Sequence, residues 1–128
     1  MIAVERETVL QRVHREATTA SVREVATLLH EVLSRRLTAY IAGVRDAKTV
    51  TRWVSGEIGD VRDYEAEQRL RTTYEIVQML LLEESPRTVR AWFIGLDPLL
   101  DDVSPAEAIR EGRLKEALSA ARAFFAAG

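Results

Sequence analysis

The residues that could carry chemistry in this 128-residue chain are few. Its two histidines, His14 and His30, fall on predicted helices, with no second ligand at metal spacing and no nucleophile signature nearby. Cysteine is absent, which removes disulfides, thiolate metal sites and a cysteine nucleophile together. No glycine-rich phosphate loop occurs. Asp101 and Asp102 could touch a cation, but such a pair more often marks a solvated loop, and Glu83 with Glu84 reads as a polar helix end. The expectation is a chain that is not an enzyme and uses no metal or cofactor.

What remains is charge that could meet phosphate. The net charge of −2 is unremarkable, but its distribution is uneven. Between Ser34 and Gly56 the basic residues are Arg35, Arg36, Arg45, Lys48 and Arg52, against the single acid Asp46. From Glu57 to Glu84 the balance reverses, with eight acids against Arg62, Arg69 and Arg71. Phosphate attraction acts over roughly 10 Å in salt, so a local basic island can serve a small nucleic-acid contact in an acidic chain. The plainer reading is the segmental charge fluctuation of any helical protein.

The elements that must position these residues are helices, and the predicted fold class is all-α. Val22, Val25, Leu28, Leu29, Val32 and Leu33 recur at three- and four-residue spacing, so residues 21–33 form an amphipathic helix. Val4, Val9, Leu10 and Val13 suggest another before it. Residues 63–82 contain no proline or glycine and place Ala66, Leu70, Tyr74, Val77 and Leu81 on one stripe, a long core helix. Ser85-Pro86 and Ser104-Pro105 each set an N-cap serine before a first-turn proline, and Glu107 completes a capping box. Gly95 and Gly112 are natural stops. These signals predict helices over 86–93, 105–111 and 113–126, with a loop between the first two whose Leu96, Leu99 and Leu100 tuck inward. The organisation expected is N-terminal helices at 1–33, a helix pair at 34–61, a connecting helix at 62–84 and a last lobe at 85–128. The charged start is no signal peptide, and no apolar run is long enough to span a bilayer, so a cytoplasmic protein without a membrane partner is expected.

The stretch TAYIAGVRDAKTVTRWVSGE, residues 38–57, covers most of the basic island. Residues 35–42 supply a short helix with Leu37 and Ile41 inward, Gly43 permits a turn, and Val44 plugs it. Asp46 is a suitable N-cap for a helix over 47–55 whose core side is Val50, Trp53 and Val54. That leaves Ala47, Lys48, Thr51, Arg52 and Ser55 facing outward. With Arg45 and Asp46 in the adjoining turn, they form the candidate DNA-reading set, since such a helix can lie in a major groove roughly 12 Å wide. A packing corner with no DNA is the alternative.

This pattern resembles the Xre-type helix-turn-helix, with one departure: Arg45 adds a residue before the cap and lengthens the turn. The last third resembles the toxin-binding domain of the Xre/MbcA/ParS antitoxin family, in Trp92 at a helix end, Pro98 and Leu99 in the following loop, Ser104-Pro105, Gly112 and the final helix. Together the likenesses cover roughly residues 37–125. They imply a bacterial type II antitoxin that covers the active site of a RES-domain, NAD-consuming toxin and represses its own operon at operator DNA. They imply toxin contacts at Trp92, Phe93, Leu99, Pro105 and Gly112, joined by Phe124 and Phe125, large apolar groups near the C-terminus. Trp92, Phe93 and the two terminal phenylalanines could equally be core. A homodimer, or a hetero-oligomer with the toxin, is expected. A free-standing DNA-binding regulator without a toxin is the other reading.

Overall fold

The computed structural model describes residues 2–128, the side chain of Glu7 excepted. The described residues form eight α-helices: α1 (Ala3–Thr19), α2 (Val22–Leu33), α3 (Arg35–Ala42), α4 (Lys48–Ser55), α5 (Tyr64–Leu80), α6 (Pro86–Ile94), α7 (Pro105–Arg110) and α8 (Leu114–Ala127). A 3-10 turn at Pro98–Leu100 interrupts the α6–α7 loop. No strand occurs among them; Asp97 and Val103 make one isolated antiparallel bridge. The fold is all-α, as predicted. None of these helices is long and apolar enough to cross a membrane.

Helix starts follow the capping chemistry. Ser21, Asp63, Ser85 and Ser104 each accept the backbone N–H three residues on, and both Ser-Pro pairs open helices. The long helix α5 is the axis on which α1, α2, α3, α7 and α8 pack. Its Leu70, Ile76, Val77 and Leu80 are fully enclosed, and they join a single apolar cluster that runs from Val13 on α1 to Phe125 on α8. A smaller cluster of Leu100, Ala108 and Ala120 sits under the α6–α7 loop, and Trp92 touches both.

The outer helix α1 is fastened at each end by arginine. Arg71 on α5 donates to the carbonyls of Ala17 and Ala20 at 3.1 and 2.7 Å, closing the C-terminal end. Arg6 pairs with Glu83 at 2.8 Å and lies over the Phe125 ring at 4.9 Å. His14 Nδ1 lies 2.9 Å from Oε1 of Glu75, a buried carboxylate that needs a partner to be tolerated there. Both histidines are exposed, His14 on α1 over the edge of Glu75 and His30 on α2.

The α2–α3 junction is strained. Ser34 adopts φ 96° and ψ 160°, a region that belongs almost wholly to glycine. It is held there because it ends α2, its N–H reaching His30 O, and caps α3, its Oγ accepting from Leu37 N. Ser34→Ala removes the cap and keeps the strain, so it lowers stability by about 1 kcal/mol. Ser34→Gly relieves the strain and is at least as stable as the parent, even after the extra freedom of glycine in the unfolded chain. Chemical denaturation of the two variants checks the order, and an alanine variant more stable than the glycine one contradicts it.

Candidate functional site

Two surfaces hold the residues singled out above. The first is the outer face of α3 and α4. α3 ends in a Schellman motif, with Gly43 N–H on Tyr40 O at 3.1 Å and Val44 N–H on Ala39 O at 3.1 Å. Gly43 carries φ 78°, and a Cβ there would lie 3.0 Å from Arg69 Nη2. That close approach lets Arg69, from α5, bond the Ala42 carbonyl at 2.7 Å. Arg110, from α7, holds the neighbouring Tyr40 carbonyl at 2.6 Å and stacks on the Tyr40 ring at 4.6 Å.

After this anchored end the chain turns through residues 43–47 into α4. The helix begins at Lys48 with Ala47 in the cap position, one residue later than predicted. Asp46 still caps it, its Oδ1 accepting the Lys48 N–H at 2.9 Å. Val50 and Trp53 are buried as predicted and Val54 is half-buried. At the far end Arg23 of α2 donates to the Val54 carbonyl at 3.1 Å.

Of the predicted reading set, Arg45, Asp46, Lys48, Thr51, Arg52 and Ser55 are exposed, and Ala47 is half-buried against the core. Two of them are already engaged: Asp46 by its cap, and Ser55 by bonds to Arg52 O and Glu57 N. Arg52 has only a loose contact with Glu57 at 3.7 Å. Arg35, from the start of α3, reaches Thr51 Oγ1 at 3.4 Å, so the surface carries a contributor that the spacing along α4 did not reveal. Exposed Arg35, Arg36, Arg45, Lys48 and Arg52 lie on α3, on α4 and in the turn between them.

The second surface is the loop after α6. Leu96 and Leu99, predicted to tuck inward, are 76% and 64% exposed, and Ile94 is 58% exposed; only Leu100 is enclosed. The reason is local hydrogen bonding. Asp97 N–H bonds Val103 O at 3.1 Å, Asp102 N–H bonds Asp97 O at 3.0 Å, and Asp97 Oδ1 accepts from Leu99 N at 2.9 Å. These bonds close a small ring of chain, and Leu100 turns beneath it to pack with Ala108 and Ala120. Asp101 and Asp102 both take left-handed conformations to complete it.

Arg113 braces this ring from the start of α8, reaching Leu100 O at 3.3 Å, Asp101 at 3.0 Å and Glu116 at 2.6 Å. Its guanidinium is held more firmly protonated than usual, chiefly by the hydrogen bond to Glu116. Arg113 can stand there because Gly112, at φ 88°, closes α7 in a second Schellman motif, Arg113 N–H bonding Ala108 O at 2.9 Å. Between Leu99 and α8 runs an open groove of about 330 Å³ lined by Lys115, Glu116, Ser119 and Ala120.

The remaining residues expected at this surface divide. Phe93 is fully enclosed and Pro105 is buried, so both are packing groups and neither can floor an interface. Gly112 is exposed. Trp92 is half-buried, edge-on to Phe93 at 5.1 Å and tilted against Phe124 at 6.2 Å. Phe125 folds back onto the core at 5% exposure and Phe124 is half-buried, so the C-terminal pair is not a free anchor. Ile94 and Leu96, absent from the sequence-based set, are exposed beside Leu99, which belongs to it. Among the described residues no cluster of three or more potential metal ligands exists. Compared with protein-family models, curated proteins and solved structures, the chain matches none.

Proposed function

We propose that this chain is the antitoxin of a type II pair: it covers the active site of a RES-domain, NAD-consuming toxin and represses the shared operon through α3 and α4. The observation that carries the first half is the end of α6 with the braced loop after it, which hold Ile94, Leu96 and Leu99 in water. Large aliphatic groups kept exposed on a hydrogen-bonded loop lose little further freedom on binding, the condition under which apolar contacts yield affinity. The segment also belongs to the part of the chain that resembles the toxin-binding domain. In this reading the chain does no chemistry itself and acts in the cytoplasm, where toxin and operator both lie.

A tagged pull-down from native cells at moderate salt, with captured proteins identified by mass, tests it. A stoichiometric RES-type partner that consumes NAD only after this chain is removed is the expected result. Retained DNA without a protein partner would instead favour a free-standing regulator, the reading that the basic face supports by itself. For that face, Lys48→Ala or Arg52→Ala weakens binding to all duplexes alike. Each also flattens the slope of log affinity against log salt by about 1, because one phosphate contact no longer releases a counterion. Binding curves at several salt concentrations check this, and unchanged slopes place the contact elsewhere.

A further inference from the structure

The exposed aliphatic trio Ile94, Leu96 and Leu99 is charged differently at its two ends. Arg87 and Arg90 stand on α6, Arg90 one helical turn before Ile94. At the Leu99 end the balance is acidic. Arg113 is faced by three carboxylates: Glu116 at 2.6 Å, Asp101 at 3.0 Å, and Glu111, which acts on it through space. One guanidinium cannot neutralise all three, and Asp102 adds a fourth. Asp102 and Glu111 are exposed, and among the described residues neither side chain makes a hydrogen bond or ion pair. Lys115, which lines the groove with Leu99, is the other cation at this end. Four carboxylates against two cations leave it net negative.

An apolar surface with this border sorts partners by charge. A duplex or an anionic bilayer, which the α3–α4 face attracts, is repelled here. The basic face of a second copy has the right sign. Among the described residues of α3 and α4, however, Tyr40 is its one large exposed apolar group, little to set against three aliphatic side chains. We infer that the Leu99 end of the trio docks a different protein whose contact face is apolar and bordered by lysine or arginine, with Asp102 and Glu111 supplying the attraction. This rests on reading the loop as the toxin-binding surface, and it adds the charge of the toxin's contacting face. Rim charges govern how fast partners meet, whereas buried anchors govern how slowly they part.

The test uses the full chain and the RES-type partner purified from the pull-down. Association rates are measured at rising salt for the parent and for the double variant Asp102→Asn, Glu111→Lys. Asparagine tolerates the left-handed backbone at position 102. The expected result is a parent rate that falls steeply with salt. At low salt the variant associates roughly tenfold more slowly, with its dissociation rate and melting curve little changed. Acetylation of amines with mass mapping places the contact, because the chain has two lysines, Lys48 on the basic face and Lys115 beside Leu99. Lys115 is protected in the complex, and Lys48 serves as the reference. A variant rate equal to or above the parent's, or a Lys115 as reactive bound as free, overturns the inference and leaves a toxin partner standing. Protection of Lys115 that grows with the concentration of this chain alone makes a second copy the occupant and overturns it too. Absence of any stoichiometric protein partner overturns the toxin reading as well.

Discussion

Phe93→Ala lowers the stability of the fold by about 3–5 kcal/mol, the cost of deleting a fully enclosed aromatic ring and leaving its cavity. A domain of this size holds roughly 5–15 kcal/mol in all, so the variant loses a large share of its stability. The ring packs edge-on against Trp92 and belongs to the main apolar cluster, so the loss extends to the α6 segment that carries the exposed loop. Urea denaturation reads the effect as a fall in the midpoint at unchanged slope. A change below about 1 kcal/mol would mean that Phe93 is not part of the interior.

Leu99→Asp is the complementary experiment. The side chain is 64% exposed, so a surface substitution there changes stability by no more than about 0.5 kcal/mol. If the loop is the partner-binding surface, burying a carboxylate in place of an aliphatic anchor weakens capture of the proposed toxin by 30-fold or more, the scale of a hot-spot loss. Titration of the purified pair, alongside a melting curve of the variant alone, separates the two quantities. Undiminished capture removes the loop from the interface. Truncation after Ala121 is a poorer probe, since it deletes Phe125 from the core and the stacking contact of Arg6 with it.

Much of the fold was readable from residue spacing, and the exceptions share a cause. α3 spans the predicted residues 35–42, and the serine-capped starts of α6 and α7 fall where the Ser-Pro pairs placed them. These are local signals, decided within a turn of helix. Leu96 and Leu99 went the other way because apolarity says that a side chain prefers burial, not that the chain can supply it. In the closed ring from Asp97 to Val103, Leu100 is turned beneath onto Ala108 and Ala120 while Leu99 is left outside, and Leu96 precedes the ring. The two terminal phenylalanines were indistinguishable by type, and Arg6, far away in sequence, helps hold Phe125 inward. Arg35 was visible as charge but not as a partner of Thr51, since the α3–α4 crossing that joins them is a tertiary fact.

The two arginines that grip the end of α3 bear on how this molecule could be taken apart. Arg69 comes from α5 and Arg110 from α7, yet both bond carbonyls of α3, at Ala42 and Tyr40. A fragment ending near residue 61 would therefore carry a frayed α3 that has lost its packing against α5 and α7, despite containing every residue of the basic face. The basic face is consequently not a cassette to be excised and grafted onto another scaffold. Its geometry is a property of the whole chain, and chimaeras that exchange the last third must keep arginine at position 110 to inherit it.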